Sequence, residues 1–119
     1  MKILIAEDDP MLLKTIELYL IKEGYEVTAT KDGREAVAKI EDTRPDLVIT
    51  DVMMPWVSGI EIVALIKKRT GRKIPVIVLS VIDQEAVVMQ ALDLGADDYM
   101  TKPFSLKELT TRIKRLLAK

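Results

Sequence analysis

The chain has 119 residues, with 18 basic and 19 acidic side chains, no cysteine and no histidine. This length is typical of one domain, and 49% hydrophobic and 31% charged residues are typical of a globular protein. The missing cysteine excludes disulfides, zinc–thiolate sites and thiolate nucleophiles, and the missing histidine excludes imidazole catalysis. We therefore expect one domain, residues 1–119, whose chemistry uses carboxylates, hydroxyls, amines or the backbone.

Charge and hydropathy give no sign of nucleic acid or membrane as a partner. The net charge is −1, and charges of both signs are interspersed along the chain. The apolar run Ile3–Ala6 is too short for a signal peptide, and Ile74–Leu79 contains a proline and is too short to span a bilayer. We therefore expect a cytoplasmic protein.

Short apolar runs alternate with segments of helical periodicity along the chain. Ile3–Ala6 is typical of a strand buried on both faces, and Asp9-Pro10 supplies a helix N-cap and a first helical residue. The same reasoning predicts further helices over 12–21, 36–40, 60–66, 87–94 and 106–117, and further strands over 25–29, 47–49, 76–79 and 99–100. Gly24, Pro45 and Gly95 end the first, second and fourth of these helices. A turn is predicted at Asp32-Gly33, and Gly71 and Pro75 bracket the entry to the strand over 76–79.

The last helix carries the clearest start signal, because Ser105 and Glu108 form an S-x-x-E capping box. Five strands thus alternate with five helices through short connections. Alternation of this kind implies right-handed βαβ units and a parallel sheet covered on both faces. The predicted fold class is α/β, a doubly wound sheet of five strands.

Ligands of such sheets bind beyond the carboxyl ends of the strands, so the residues that follow the strands are the candidates for a site. Each candidate alone has an ordinary explanation in turn and capping chemistry. Their convergence from distant positions on one edge predicts a functional site. The candidates are Glu7, Asp8 and Asp9 after the first strand, Asp51 after the third, Ser80 after the fourth, and Lys102-Pro103 after the fifth.

Four of these candidates are acids, Glu7, Asp8, Asp9 and Asp51, against the single cation Lys102. Crowded carboxylates have raised pKa values unless a cation neutralises them, and oxygen ligands without imidazole or thiolate suit Mg²⁺ or Mn²⁺. Carboxylates, a divalent ion, a lysine and a hydroxyl are together the components of phosphoryl transfer. The nucleophile is then a carboxylate or a hydroxyl, and Asp51 is best placed, at the end of the central strand.

Several short motifs lie in a characteristic order: Glu7-Asp8-Asp9, Asp51-Val52-Met53-Met54-Pro55, Gly59, Ser80, Gly95-Ala96-Asp97-Asp98-Tyr99 and Lys102-Pro103-Phe104. In this order and spacing they resemble the receiver domain of two-component response regulators, over essentially residues 2–117. The resemblance implies the chemotaxis-protein-like, flavodoxin-like fold with strand order 2-1-3-4-5 and five helices.

The resemblance also implies a role for each matching residue. Asp51 would accept a phosphoryl group from the phosphohistidine of a sensor histidine kinase or phosphotransfer protein. Asp8 would bind Mg²⁺ directly, Glu7 directly or through water, and Asp51 and the Met53 backbone carbonyl would complete the protein ligands. Lys102, in a cis Lys-Pro peptide, would pair with the phosphoryl oxygens.

Two further residues would form the switch. Ser80 would move to hydrogen-bond the phosphoryl group, and Tyr99 would follow by turning inward. This movement would change the surface formed by the fourth helix, last strand and last helix, which a downstream effector domain or protein reads. The new charge-assisted bonds would shift the population by about 1–3 kcal/mol.

Four residues depart from the usual receiver pattern. Val81 replaces a common Ala or Gly and is expected to crowd the approach to the phosphoryl group. Met53 and Ile82 are apolar and cannot orient a hydrolytic water, which predicts slow autodephosphorylation. Trp56 stands where small or polar residues are common, as a partner contact or as loop packing, of which we favour packing.

The segments 97–99 and 102–104 are similar to receivers of winged-helix transcription factors, in which Asp98 and Arg112 match an ion pair of the dimer interface. Val88 occupies a place that usually carries a basic residue. We therefore expect a monomer or a weak phosphorylation-dependent dimer.

Three other functions are less consistent with these residues. An aspartyl phosphohydrolase needs a second acid two residues after the nucleophile, where this chain has Met53, so we expect no turnover enzyme. A flavin- or nucleotide-binding module needs a Gly-rich or hydroxyl-rich loop after the first strand, and the acids at 7–9 would repel phosphate. A phosphorylation-independent adaptor would usually have lost Asp51 or Lys102, and both are present.

Overall fold

The computed structural model describes residues 1–69, 73–81 and 84–118. They contain a five-stranded sheet of order β2-β1-β3-β4-β5 in which every neighbouring pair is parallel. This confirms the predicted doubly wound topology and its strand order. The strands are β1 Lys2–Ala6, β2 Glu26–Thr30, β3 Leu47–Asp51, β4 Val76–Ser80 and β5 Asp98–Thr101.

Four helices connect the strands and a fifth follows the last strand, as the alternating pattern predicted. Their ends differ from the predicted ends by a few residues, and Gly71, predicted to precede β4, lies outside the described residues. The helices are α1 Pro10–Lys22, α2 Gly33–Thr43, α3 Gly59–Arg69, α4 Glu85–Asp93 and α5 Leu106–Leu117.

The capping predictions hold in most details. Asp9 is the N-cap of α1, where its Oδ1 accepts from the backbone N–H groups of Met11 and Leu12. Ser105 Oγ accepts from the N–H of Glu108 at the start of α5. The turn predicted at Asp32-Gly33 is instead the start of a helix, because Asp32 Oδ1 caps α2.

Each face of the sheet carries its own apolar layer, because successive strand residues point to opposite faces. Leu4 and Ala6 of β1 pack with α2, α3 and α4, whereas Ile3 and Ile5 pack with α1 and α5. All five residues of β4 are buried, as expected for a strand covered on both sides. Burial of each large aliphatic side chain contributes about 1.5–3 kcal/mol, so the sheet is a rigid base for the loops at its edge.

The parallel register brings the carboxyl ends of four strands to the same edge. Ala6 pairs with Thr50 between β1 and β3, Asp51 pairs with Leu79 between β3 and β4, and Ser80 pairs with Thr101 at the end of β5. Residues that follow these positions therefore meet, although they are far apart in sequence. Among the described residues, no helix is long and apolar enough to cross a membrane.

Candidate functional site at the carboxyl edge of the sheet

Three carboxylates and one lysine meet at this edge. One oxygen each of Glu7, Asp8 and Asp51 lie within 4.8 Å of one another. Lys102 Nζ lies 2.6 Å from Glu7 Oε1 and 3.3 Å from Asp51 Oδ2. The structure therefore brings together four of the predicted site residues from three different strand ends.

Backbone hydrogen bonds hold the residues that flank this cluster. The N–H of Val52 donates to the Leu79 carbonyl at 3.1 Å, and the N–H of Lys102 donates to the Ser80 carbonyl at 2.8 Å. The Lys102-Pro103 peptide is cis, as the resemblance implied. Asp51 and Lys102 therefore start from backbone positions that the sheet itself determines.

The cluster combines burial with unbalanced charge. Glu7 is 1% exposed and Asp51 is 6% exposed, whereas Asp8 is exposed to solvent. Burial raises the pKa of Glu7, and hydrogen bonds from Lys102 and from the Asp9 N–H oppose that rise. Burial likewise raises the pKa of Asp51, with Lys102 opposing the rise and the charge of Asp8 adding to it.

Lys102 remains a cation in this environment. Burial lowers the pKa of its ammonium, but the hydrogen bond to Glu7 and the charges of Asp51 and Glu7 outweigh this, and the net pKa is raised. Three carboxylates against one ammonium leave an excess of negative charge when all are ionised. This all-oxygen donor set, of which two members are buried, fits a hard divalent cation such as Mg²⁺.

The two predicted switch residues lie on the neighbouring strands β4 and β5. Ser80 is fully buried at the end of β4. Tyr99 is half-buried, and its ring packs against the apolar layer that contains α2, α3 and α4. A cavity of about 340 Å³ adjoins Tyr99 and is lined also by Val88, Phe104 and Arg112.

Three of the four residues that depart from the receiver pattern are apolar side chains exposed to solvent. Met53 is 62% exposed, Trp56 is 70% exposed and Val81 is 72% exposed. Val81 lines a second cavity of about 590 Å³ together with Asp9 and Lys102, the lysine of the cluster. Ile82, which entered the prediction of slow autodephosphorylation, lies outside the described residues.

Two arrangements were not visible in the sequence. The guanidinium carbon of Arg34 lies 4.2 Å from the ring centroid of Trp56, so the loop packing favoured for Trp56 is a surface stack. Asp98 pairs with Arg112 at 2.6 Å and with Arg115 at 3.1 Å within the same chain. Arg34 and Trp56 are 22 positions apart in the sequence, so no short-range pattern points to their stack. For Asp98, the sequence suggests only an interface pair with Arg112.

Comparison with known proteins assigns the family. Residues 3–114 match the sequence model of the response regulator receiver domain. The chain belongs to this family. It is thus a receiver domain of two-component response regulators, as the ordered motifs indicated.

Curated relatives of this receiver are about twice its length. It is 39% identical over 116 residues to the alkaline phosphatase synthesis transcriptional regulatory protein PhoP of Bacillus subtilis. The matched region covers 98% of this chain and 48% of PhoP. It is 44% identical over 117 residues to response regulator RR06 of Streptococcus pneumoniae, and this match covers 98% of this chain and 53% of RR06. The chain therefore spans about half the length of the curated relatives that it matches.

Solved receivers share the whole fold. The receiver domain of the Francisella response regulator 1452 superposes with a TM-score of 0.92 at 35% identity, covering 98% of this chain and 96% of that one. The BeF3-activated N-terminal receiver domain of Klebsiella pneumoniae RstA superposes with a TM-score of 0.92 at 28% identity, covering 100% of both chains. Both superpositions support the observed strand order and helix placement.

Proposed function

We propose that this receiver accepts a phosphoryl group on Asp51 from a phosphohistidine of a sensor histidine kinase or phosphotransfer protein. The contact of Lys102 Nζ with Glu7 and Asp51 carries this proposal, because a cation already lies beside a buried carboxylate that can act as the nucleophile. The chain acts as a stoichiometric acceptor rather than as a turnover enzyme. Residues 1–119 form a single cytoplasmic receiver domain that does not itself bind nucleic acid or membrane.

In the proposed reaction, one Asp51 carboxylate oxygen forms an O–P bond while the N–P bond of the donor breaks. The electron pair of the N–P bond leaves with the donor's imidazole nitrogen. Lys102 Nζ, now 3.3 Å from Asp51 Oδ2, then pairs with the phosphoryl oxygens. Its cationic state suits this role, because a charge-assisted bond to an oxyanion is about twice as strong as a neutral one.

The acidic cluster would hold Mg²⁺, or Mn²⁺ in its place. Asp8 and Asp51 would bind the ion directly, Glu7 directly or through water, and the Met53 backbone carbonyl would be a further ligand. The meeting of three carboxylates with one ammonium, that of Lys102, supports this assignment, because the oxygens of Glu7, Asp8 and Asp51 lie within 4.8 Å of one another. When bound, the ion would neutralise charge on the phosphoryl oxygens.

Ser80 and Tyr99 would transmit the modification to a downstream effector domain or protein. The Ser80 hydroxyl would bond a phosphoryl oxygen, and the Tyr99 ring would turn inward, which changes the surface of α4, β5 and α5. The proposed gain of about 1–3 kcal/mol would shift an equilibrium roughly 5- to 150-fold. Since Asp98 already pairs with Arg112 in the same chain, a monomer or a weak phosphorylation-dependent dimer is expected.

Incubation with acetyl phosphate and Mg²⁺, followed by intact mass measurement, tests the proposal. We expect a gain of one phosphoryl group in the wild type, none in Asp51→Asn or Asp51→Ala, and an unchanged gain in the control Asp42→Asn. Asp42 is an exposed acid on α2, away from the cluster. No gain in the wild type would favour a phosphorylation-independent adaptor, and many equivalents of released phosphate would favour a hydrolase.

A further inference from the structure

The loop between β3 and α3 is bent at Trp56 in a conformation that bulky residues rarely adopt. Trp56 has φ of 73°, in the left-handed region, and the N–H of Val57 donates to the Pro55 carbonyl at 2.9 Å. An i to i+2 hydrogen bond around a residue of positive φ is the arrangement of a γ-turn of the rare, strained kind. Such strain persists only where surrounding contacts hold it.

The first turn of α2 supplies these contacts. Arg34, its second residue, places its guanidinium carbon 4.2 Å from the centre of the Trp56 ring. Gly33 packs so closely on the loop that an added Cβ would lie 1.9 Å from the Val57 carbonyl oxygen. The Trp56 side chain is largely exposed, so burial in the core does not fix the position of its ring. The stack on Arg34 holds the ring instead.

The same loop carries residues of the phosphorylation site. It begins directly after Asp51, and its base is closed by the N–H of Gly59, which donates to the Val52 carbonyl at 3.0 Å. Gly59 also lies against Asp51, since an added Cβ would be 2.1 Å from the Asp51 carbonyl oxygen. Met53 lies between the closed base and the bend at Trp56, so both can act on the path of the backbone at Met53.

We propose that Arg34 is a positioning residue for the phosphorylation site. Its guanidinium holds the Trp56 ring, which keeps the loop bent and orients the Met53 carbonyl toward the acidic cluster. The assignment of Met53 as a ligand rests on the proposed function. Arg34 itself acts only through Trp56, so its effect must disappear when the ring is absent.

Mg²⁺ titration of the metal-free protein by calorimetry measures this coupling. We expect Arg34→Gln to raise the Mg²⁺ dissociation constant about 2- to 5-fold, the factor that an exposed cation–π contact supports. Arg34→Lys keeps a cation over the ring and should restore most of the affinity. In a Trp56→Gly background, where glycine adopts the bend without strain, Arg34→Gln should have no further effect.

Two controls separate stacking from charge. Lys31→Gln removes an exposed positive charge at the same end of α2 and should leave the dissociation constant nearly unchanged. The chain has one tryptophan, so acrylamide quenching of its fluorescence reports the stack directly. Quenching should increase in Arg34→Gln, because a ring face becomes accessible, and should stay near the wild-type value in Arg34→Lys.

Equal effects of Arg34→Gln in the wild-type and Trp56→Gly backgrounds would overturn the proposal, since they would indicate a through-space charge effect. Unchanged Mg²⁺ affinity in Arg34→Gln would overturn it as well. The acetyl phosphate experiment decides the proposed function separately. If the wild type gains no phosphoryl group, phosphorylation is refuted. If the Mg²⁺ affinities of the variants still follow the expected pattern, the positioning role of Arg34 remains supported.

Discussion

Replacing Lys102 with methionine tests the electrostatics of the site in the absence of any metal. Methionine keeps much of the length and apolar volume of the lysine stem but removes the ammonium group. In the wild type this group contacts Glu7 Oε1 at 2.6 Å and Asp51 Oδ2 at 3.3 Å, and only 16% of its side chain is exposed. Lys102→Met therefore leaves two buried carboxylates without their cation.

The expected loss follows from these distances. With an effective dielectric constant of about 20, contacts at these separations correspond to gross attractions of about 6 and about 5 kcal/mol. Desolvation of the ammonium and of both carboxylates offsets most of this sum. Removing one partner of a buried ion pair typically costs about 3–5 kcal/mol, and we expect about 3 kcal/mol here, since Lys102 is not fully buried.

The loss should depend on pH with a definite sign. Burial raises the pKa of Glu7 and of Asp51 above 4.5 and 3.8, and Lys102 limits both rises. Without the lysine both pKa values rise further, so the folded variant takes up protons at a higher pH than the unfolded chain does. The penalty is therefore largest above the raised folded-state pKa values and decreases as pH falls from 8 toward 5.

Urea denaturation in EDTA at pH 8, 7, 6 and 5 measures this dependence. The Lys102 ammonium itself stays protonated over this range, because its pKa is raised above 10.5, so the expected pH dependence comes from the two carboxylates. The control Lys14→Met breaks the exposed ion pair with Glu17 and should cost at most about 1 kcal/mol with little pH dependence. A loss in Lys102→Met that is equally large at pH 5 and pH 8 would refute the reasoning.

Three further predictions concern the same edge of the sheet. In EDTA at pH 7, Asp51→Asn should raise the free energy of unfolding by about 1 kcal/mol, since it removes a desolvated charge; a clear loss in urea denaturation would contradict this. Gly59→Ala should lower the free energy of unfolding by about 2–3 kcal/mol, because the new Cβ would lie 2.1 Å from the Asp51 carbonyl oxygen. An unchanged thermal midpoint would argue against that contact. The phosphorylated protein should lose its phosphoryl group slowly after acetyl phosphate is removed, since Met53 and Ile82 cannot orient water, and a half-life of only seconds by intact mass would contradict this.

The order of strands and helices was predictable because its signals are local. A continuous apolar run such as Ile3–Ala6 indicates a strand covered on both faces, and Asp9-Pro10 marks the start of the next helix. Asp32-Gly33 shows the limit of such signals. The same two residues suit a turn or a helix start, and the packing of Gly33 against Val57 accompanies the helical form.

The membership of the site was also predictable, since topology alone brings the carboxyl ends of parallel strands to one edge. That rule selects Glu7, Asp8, Asp51 and Lys102 without any coordinates. It does not give their contacts. Lys102 Nζ lies closer to Glu7 than to Asp51, a preference that depends on side-chain burial and backbone register rather than on sequence spacing.

The sequence by itself determined the fold class and the family, and it selected the acids and the lysine that the structure brings together, because periodicity and motif order are properties of the chain. Only the tertiary structure decided how distant surface groups pair. Arg34 stacks on Trp56 from another element, and Asp98 binds Arg112 within the chain. Both outcomes depend on the relative placement of packed elements and on side-chain direction, which short-range patterns do not encode.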